Sequence, residues 1–294
     1  MKPLIVALPG NEEVASRLAS ALGVEIGSAE FRRFPDDESY VRLNADVAGR
    51  SVALVSTLDR PDPKFLPLLF VAATTRELGA SRIGLIAPYL AYMRQDRRFH
   101  PGEAISSRIF ARQLSGIVDW LITVDPHLHR VSALSELFRI PAVAVHTASM
   151  VARWIRDTVK SPVLIGPDKE SAQWVSAVAN EAGAPYTILE KHRRSDIDVE
   201  VSVSHLEKWR NHKPVLVDDI ISTGQTMNKT IGHLRAAGMK PAVCVAVHAV
   251  FAPGSFDALR QAGAERIVTT NSIPHATNTI DVTSALADAA RALI

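Results

Sequence analysis

The stretch Val215-Leu216-Val217-Asp218-Asp219-Ile220-Ile221-Ser222-Thr223-Gly224-Gln225-Thr226-Met227 carries more information than any other in this chain of 294 residues. Its first three residues read as a buried strand, and two adjacent carboxylates follow at the strand's carboxyl end. A short loop of small hydroxylated residues and one glycine then opens a helix whose periodicity runs from residue 226 to residue 237. Carboxylates accept hydrogen bonds from sugar hydroxyls, and loop amides, hydroxyls and a helix amino terminus together suit a phosphate. Asp218, Asp219, Ser222, Thr223, Gly224, Gln225 and Thr226 are therefore candidate ligands of a phosphorylated sugar. An Asp-Asp or Ser-Thr pair alone would more often serve as a helix cap. The full string points to a ligand site.

Outward from that strand the same pattern repeats. Short runs rich in Val, Ile and Leu recur at residues 4–8, 51–56, 82–87, 120–124, 143–145, 163–165, 187–189, 243–250 and 266–269. Most are continuously hydrophobic, as expected of parallel strands covered on both faces. Segments with helical periodicity lie between them, at 11–22, 65–78, 104–115, 148–157, 171–182 and 255–262. Gly23, Gly79, Gly116, Gly183, Gly238 and Gly263 fall at the carboxyl ends of helical segments, where glycine accepts the left-handed conformation that stops a helix. The alternation predicts an α/β protein with mainly parallel sheets and helices on both faces. The strands divide evenly about residue 146, which predicts two similar domains, 1–146 and 147–282, with an amphipathic helix at 283–294 completing the first. Residue-level repetition between the halves is faint. Residues 31–43 break the pattern with close-packed charges around Pro35 and read as a projecting hairpin.

Composition narrows the function classes. A hydrophobic share of 47% and a charged share of 22% belong to an ordinary globular protein. The formal net charge of +2 argues against a protein that holds nucleic acid by bulk electrostatics, so anions must be bound by local basic clusters. Cys244 is the only cysteine and lies in an apolar run, where it reads as a buried strand residue. It admits neither an internal disulfide nor a cysteine-based zinc site. The opening MKPLIVALPGNEE has too short an apolar run for a signal peptide or a membrane span. A soluble, cytoplasmic protein with no nucleic-acid or membrane partner is expected.

Further clusters carry candidate chemistry. Arg94-Gln95-Asp96-Arg97 follows the strand ending at Ala87, and guanidinium groups match phosphate oxygens in bidentate geometry. Taken alone, such a cluster is more often a solvated loop. Lys191-His192-Arg193 follows the strand at 187–189 and, taken alone, reads as an exposed basic turn. Asp125-Pro126-His127 and Gly166-Pro167-Asp168 both end buried strands. A lone His127 would more often be a satisfied turn residue than a metal ligand.

Together these stretches resemble a known family. The string from Val215 to Met227 resembles the phosphoribosyl-diphosphate signature of the type I phosphoribosyltransferase fold. Residues 88–98 resemble the nucleotide-binding segment of ribose-phosphate pyrophosphokinases, which base phosphoribosyltransferases lack. The resemblance covers essentially the whole chain, with its motifs in the family's order. It implies two similar type I phosphoribosyltransferase-like domains, the first binding nucleotide and the second ribose 5-phosphate. It implies transfer of the diphosphoryl group of Mg-ATP to the 1-hydroxyl of ribose 5-phosphate, giving 5-phosphoribosyl 1-diphosphate and AMP. In that family a catalytic loop begins with a lysine and an arginine two positions later, the spacing of Lys191 and Arg193. The family's magnesium ligands fall on His127 and Asp168, and its ATP contacts on Arg94, Gln95, Asp96 and Arg97.

Phe34-Pro35-Asp36-Asp37-Glu38 resembles the hairpin that receives adenine in a neighbouring subunit's site, so the resemblance also implies a homo-oligomer. Phe34 would stack on the base while Asp36 and Glu38 accept from its amino group. The chain departs from the family in having Ser222 where many relatives have an acid and Gln225 where glycine is usual. Lys169-Glu170-Ser171 stands in place of two common glycines. The loop at 98–103 lacks the Lys-Ser-Arg run of the allosterically regulated class and looks more like the shorter archaeal-type enzymes. A base phosphoribosyltransferase and a non-catalytic regulatory paralogue are the alternative readings. A paralogue should have lost Lys191, Arg193, His127 or Asp168, and all are present.

Overall fold

A computed structural model describes residues 2–128, 130–167, 171–189, 191–193, 199–201 and 207–294, with backbone alone at 191–193, 199–201 and 207. The chain divides into two units, Met1–Val145 with Val282–Ile294, and His146–Asp281. The first runs β1 (Leu4–Ala7), α1 (Glu12–Leu22), β2 (Glu25–Gly27), β3 (Ala29–Arg33), β4 (Ser39–Leu43), β5 (Ser51–Val55), α2 (Asp62–Glu77), β6 (Arg82–Ala87), α3 (Ser106–Ile117), β7 (Trp120–Val124) and β8 (Ala142–Val145). The second runs α4 (Ala148–Thr158), β9 (Pro162–Gly166), α5 (Ala172–Ala182), β10 (Tyr186–Ile188), β11 (Lys191–Arg193), β12 (Val199–Val201), β13 (Lys213–Ile221), α6 (Gln225–Ala236), β14 (Val243–Ala249), α7 (Ser255–Ala262), β15 (Arg266–Thr270) and β16 (Asn278–Ile280). The closing helix α8 (Thr283–Arg291) belongs to the first unit.

Every pairing inside the two large sheets is parallel. Their strand orders are β2-β1-β5-β6-β7-β8 and β10-β9-β13-β14-β15-β16. These are the same order, and each unit inserts an antiparallel hairpin, β3–β4 or β11–β12, between the second and third strands of its sheet. The two halves are therefore one architecture used twice, although their residues repeat only faintly.

The period-two alternation of strands explains how continuous apolar runs fill two layers. In the second unit Leu164, Val215, Val217, Val243 and Val245 face the core built by α4 and α5 through Val151, Ile155, Val175 and Val178. Val163, Ile165, Leu216, Cys244 and Ala246 face the opposite core, where Met227, Ile231 and Leu234 of α6 and Leu259 of α7 pack. Each of the Val, Leu, Ile and Met side chains contributes roughly 1.5–3 kcal/mol by leaving water. In α8 the buried positions Thr283, Leu286, Ala287 and Ala290 follow helical spacing. The helix packs on α1, where the Arg291 guanidinium donates to the Ala21 carbonyl at 2.8 Å.

Some sequence expectations change. Gly116 does not stop its helix, because α3 continues through it to Ile117 and Val118 caps it in extended conformation. Gly23, Gly183 and Gly263 do end helices in the left-handed conformation. The strand expected at 215–217 extends through Asp218 and Asp219 to Ile221.

Candidate active site

In an open parallel sheet, ligands bind beyond the carboxyl ends of the strands where the strand order reverses. In the second unit that point lies between β9, which neighbours β10 on one side, and β13 on the other. β13 pairs with β9 only as far as Leu216, while its pairing with β14 continues to Ile221. Asp218 and Asp219 thus pass the last β9 partner and stand half-buried at the crevice. The Asp218 carboxylate accepts the Asp219 N–H at 3.0 Å.

The chain then turns through Ser222, Thr223 and Gly224. Gly224 takes φ 68° at the amino end of α6, a left-handed conformation that favours glycine, and its carbonyl accepts the Asn228 N–H at 2.8 Å to start the helix. The Ser222 carbonyl accepts the Ala252 N–H at 3.2 Å, which ties the loop to the segment after β14. Thr223 and Gln225 are exposed, and Ser222 and Thr226 are half-buried. The loop therefore offers amides, hydroxyls and a helix dipole at one point, beside two carboxylates. On the other side of the crevice β9 ends at Gly166, where an added Cβ would meet Ile188 at 2.5 Å and the Ser171 hydroxyl at 2.7 Å. Asp168 lies outside the described residues. Lys191 and Arg193 lie on β11, paired with Val201 and Val199 of β12, and their side chains lie outside the described residues.

At the equivalent point of the first unit, between β1 and β5, hydrogen bonds tie the two loops together. Asn11 is buried, accepts the Thr57 N–H on its amide oxygen at 2.7 Å, and donates to the Leu8 and Pro9 carbonyls. Lys64 fills the same loop, reaching the Thr57 carbonyl at 2.9 Å and the Asp59 carboxylate at 2.5 Å.

The first unit's candidate residues instead follow β6 and β7. Beyond β6 the chain turns at Tyr92, with φ 65°, and exposes Arg94, Gln95 and Arg97. Arg94 has no partner among the described residues. Gln95 is engaged: its side-chain oxygen accepts the Ser106 hydroxyl at 2.6 Å and its carbonyl accepts the Ser107 N–H at 3.2 Å, anchoring the segment to the start of α3. Asp96 is turned away from solvent, with its side chain 5% exposed and held by one Arg130 nitrogen at 2.9 and 3.2 Å. Arg130, three residues after His127, is a partner of this segment that sequence reasoning missed, since nothing in its spacing marks it.

Beyond β7 the buried Asp125 has φ 28° and its N–H donates to the Val145 carbonyl at 2.9 Å. That turn presents His127, which is half-buried. The Tyr92 hydroxyl donates to Asp62, and this bond pushes its ionisation up to about 12. In the hairpin, the Phe34 N–H donates to the Glu38 carbonyl at 2.8 Å and the Glu38 N–H to the Asp36 carboxylate at 3.3 Å. Phe34, Asp36 and Glu38 are all exposed.

The family model described as the N-terminal domain of ribose phosphate pyrophosphokinase matches residues 4–117, and that of the phosphoribosyl transferase domain matches residues 133–284. The ribose-phosphate pyrophosphokinase of Saccharolobus solfataricus is 34% identical over 273 residues, covering 92% of this chain and 93% of the relative. The chain belongs to the ribose-phosphate pyrophosphokinase family. The same-named protein of Methanopyrus kandleri is 33% identical over 288 residues, covering 97% of this chain and 98% of the relative. Both relatives are archaeal, in line with the expected likeness to the shorter archaeal-type enzymes. The crystal structure of phosphoribosylpyrophosphate synthetase from Mycobacterium smegmatis superposes with a TM-score of 0.86 at 24% identity, covering all of this chain and 99% of that one.

A pyrophosphokinase and two phosphoribosyltransferase-like domains are what the motifs implied, and the reading as a base phosphoribosyltransferase falls away. A pyrophosphokinase handles two phosphorylated small molecules, which suits local basic clusters on a chain of formal net charge +2. No helix among the described residues is long and apolar enough to cross a membrane.

Proposed function

We propose that the 1-hydroxyl of ribose 5-phosphate attacks the β-phosphorus of Mg-ATP in line. The bond from that phosphorus to the oxygen bridging the α-phosphate breaks, and AMP leaves with that oxygen. The reading is supported above all by the end of β13, where Asp218 and Asp219 stand beside the Ser222–Thr226 loop and helix amino terminus. Asp218 and Asp219 hold ribose hydroxyls, and the amides from Ser222 to Thr226 hold the 5-phosphate. Arg94 and Arg97 bind polyphosphate oxygens, while Gln95 and Asp96 fix the course of their segment. Phe34 stacks on adenine and Asp36 and Glu38 accept from its amino group, from a neighbouring copy in a homo-oligomer.

Lys191 and Arg193 neutralise charge growing on the transferring phosphates, so Lys191→Ala lowers turnover by roughly a hundredfold or more while ribose 5-phosphate still binds. Near-normal turnover of that variant would remove the loop from the chemistry.

Among the described residues no three His, Cys, Asp or Glu side chains converge as a metal cage. Magnesium takes few protein ligands and completes its shell with substrate phosphate and water. His127 and Asp168 would hold it, and when bound it neutralises phosphate charge. His127, as a nitrogen donor, is the weaker half of that pair for a hard cation.

Incubation with ribose 5-phosphate and Mg-ATP, with no purine or pyrimidine base present, tests the function. AMP release that requires the sugar phosphate is expected. Activity only with a base and preformed phosphoribosyl diphosphate would overturn the reading. A higher rate with ribose 1,5-bisphosphate would reassign the acceptor.

A further inference from the structure

The β3–β4 hairpin carries an arginine that the assignments above leave unused. We propose that Arg32 is a positioning residue for the nucleobase, its guanidinium holding the Phe34 ring in the attitude on which the base stacks. This rests on the reading of Phe34 as the stacking residue.

Arg32 lies on β3, and the bond from the Phe34 N–H to the Glu38 carbonyl carries the ladder one step further, so Arg32 and Phe34 leave the same face of the ribbon. Tyr40 is the direct cross-strand partner of Arg32 and shares that face. The Arg32 guanidinium carbon lies 3.9 Å from the Tyr40 ring centre and 4.7 Å from that of Phe34. The two rings meet edge to face, 6.0 Å apart at 89°. One cation thus fills the notch between two rings, with Glu30 3.6 Å away to balance its charge.

A two-stranded ribbon holds its tip poorly, and Phe34, 40% exposed, has no core to lock its rotamer. β4 packs against α2, which anchors Tyr40's strand to the body of the unit. Tyr40 therefore fixes Arg32, and Arg32 fixes Phe34. The guanidinium lies over one face of the Phe34 ring, so the base would stack on the other. A planar, weakly hydrated guanidinium suits this better than an ammonium.

Losing Arg32 frees the ring without removing a group from the transferring phosphates. Arg32→Ala should raise the KM for ATP, and the dissociation constant of α,β-methylene-ATP, roughly three- to tenfold, with kcat at saturating ATP and the KM for ribose 5-phosphate little changed. Arg32→Lys should fall between the two. The discriminating measurement is the double variant. If Arg32 acts through Phe34, Arg32→Ala adds nothing in a Phe34→Ala background. An additive effect would mean that Arg32 meets the nucleotide by itself, and the proposal fails. An unchanged KM in Arg32→Ala, with a raised one in Phe34→Ala, would sink the proposal and leave the base-stacking role standing. An unchanged KM in Phe34→Ala would remove that role, and the inference with it.

Discussion

At Gly224 the backbone takes φ 68°, and an added Cβ would approach the Leu259 side chain at 3.3 Å. The left-handed conformation costs an ordinary residue roughly 1–2 kcal/mol, and Leu259 is buried and unable to withdraw freely. Gly224→Ala should therefore lose about 1–2 kcal/mol in urea unfolding and raise the KM for ribose 5-phosphate, leaving that for ATP nearly unchanged. A normal sugar-phosphate KM would separate this loop from the 5-phosphate. Residue types in this stretch were readable from the chain, because each has a distinct chemical use. The orientation of Gln95 and Asp96 was not. Both read as nucleotide ligands in sequence, and their partners Ser106 and Arg130 come from other parts of the chain. Cys244 behaves as its apolar surroundings dictate, with burial pushing its thiol up to about 12.

Among the elements, legibility follows burial. β1, β5, β6, β7 and β13 stand out as apolar runs because helices cover both their faces. β2 and β16 do not, since each is a three-residue edge strand with one isoleucine beside polar or small residues, Glu25-Ile26-Gly27 and Asn278-Thr279-Ile280. β11 and β12 hide among charges for the same reason: a two-stranded ribbon needs no buried face. Gly116 misleads because glycine marks a helix end only when it adopts positive φ, which this one does not. Past β6, a bond between elements sets a measurable pH limit. The Tyr92 hydroxyl donates to Asp62 at the start of α2, and the neutral phenol is the form that bonds. Its folded-state ionisation is raised from 10.0 to about 12, so this contribution is complete below pH ~10 and is lost as pH rises toward 12. Ultraviolet titration should show a late-ionising tyrosine, and Tyr92→Phe should remove one tyrosine equivalent from that late phase. A Tyr92 that titrates near 10 would mean that the bond to Asp62 does not persist in solution.

Across the whole molecule, one strand order serves two purposes. Both units reverse their strand order at the same point of the sheet, where Asn11 and Lys64 tie the loops together in the first and Asp218 and Asp219 stand half-buried in the second. The proposed function places the sugar phosphate in the second half, while the first presents Arg94, Arg97 and His127 beyond β6 and β7. The duplication was nearly invisible in the residues, because a fold constrains the pattern of burial far more than the identity of each side chain. Two phosphorylated substrates on one chain still leave open which bonds exchange, and phosphorus NMR of the reaction resolves this directly. With ribose 5-phosphate and Mg-ATP, the β- and γ-phosphates should appear together as the 1-diphosphate of the sugar, with one AMP formed for each. The appearance of ADP and a sugar 1-monophosphate would contradict diphosphoryl transfer.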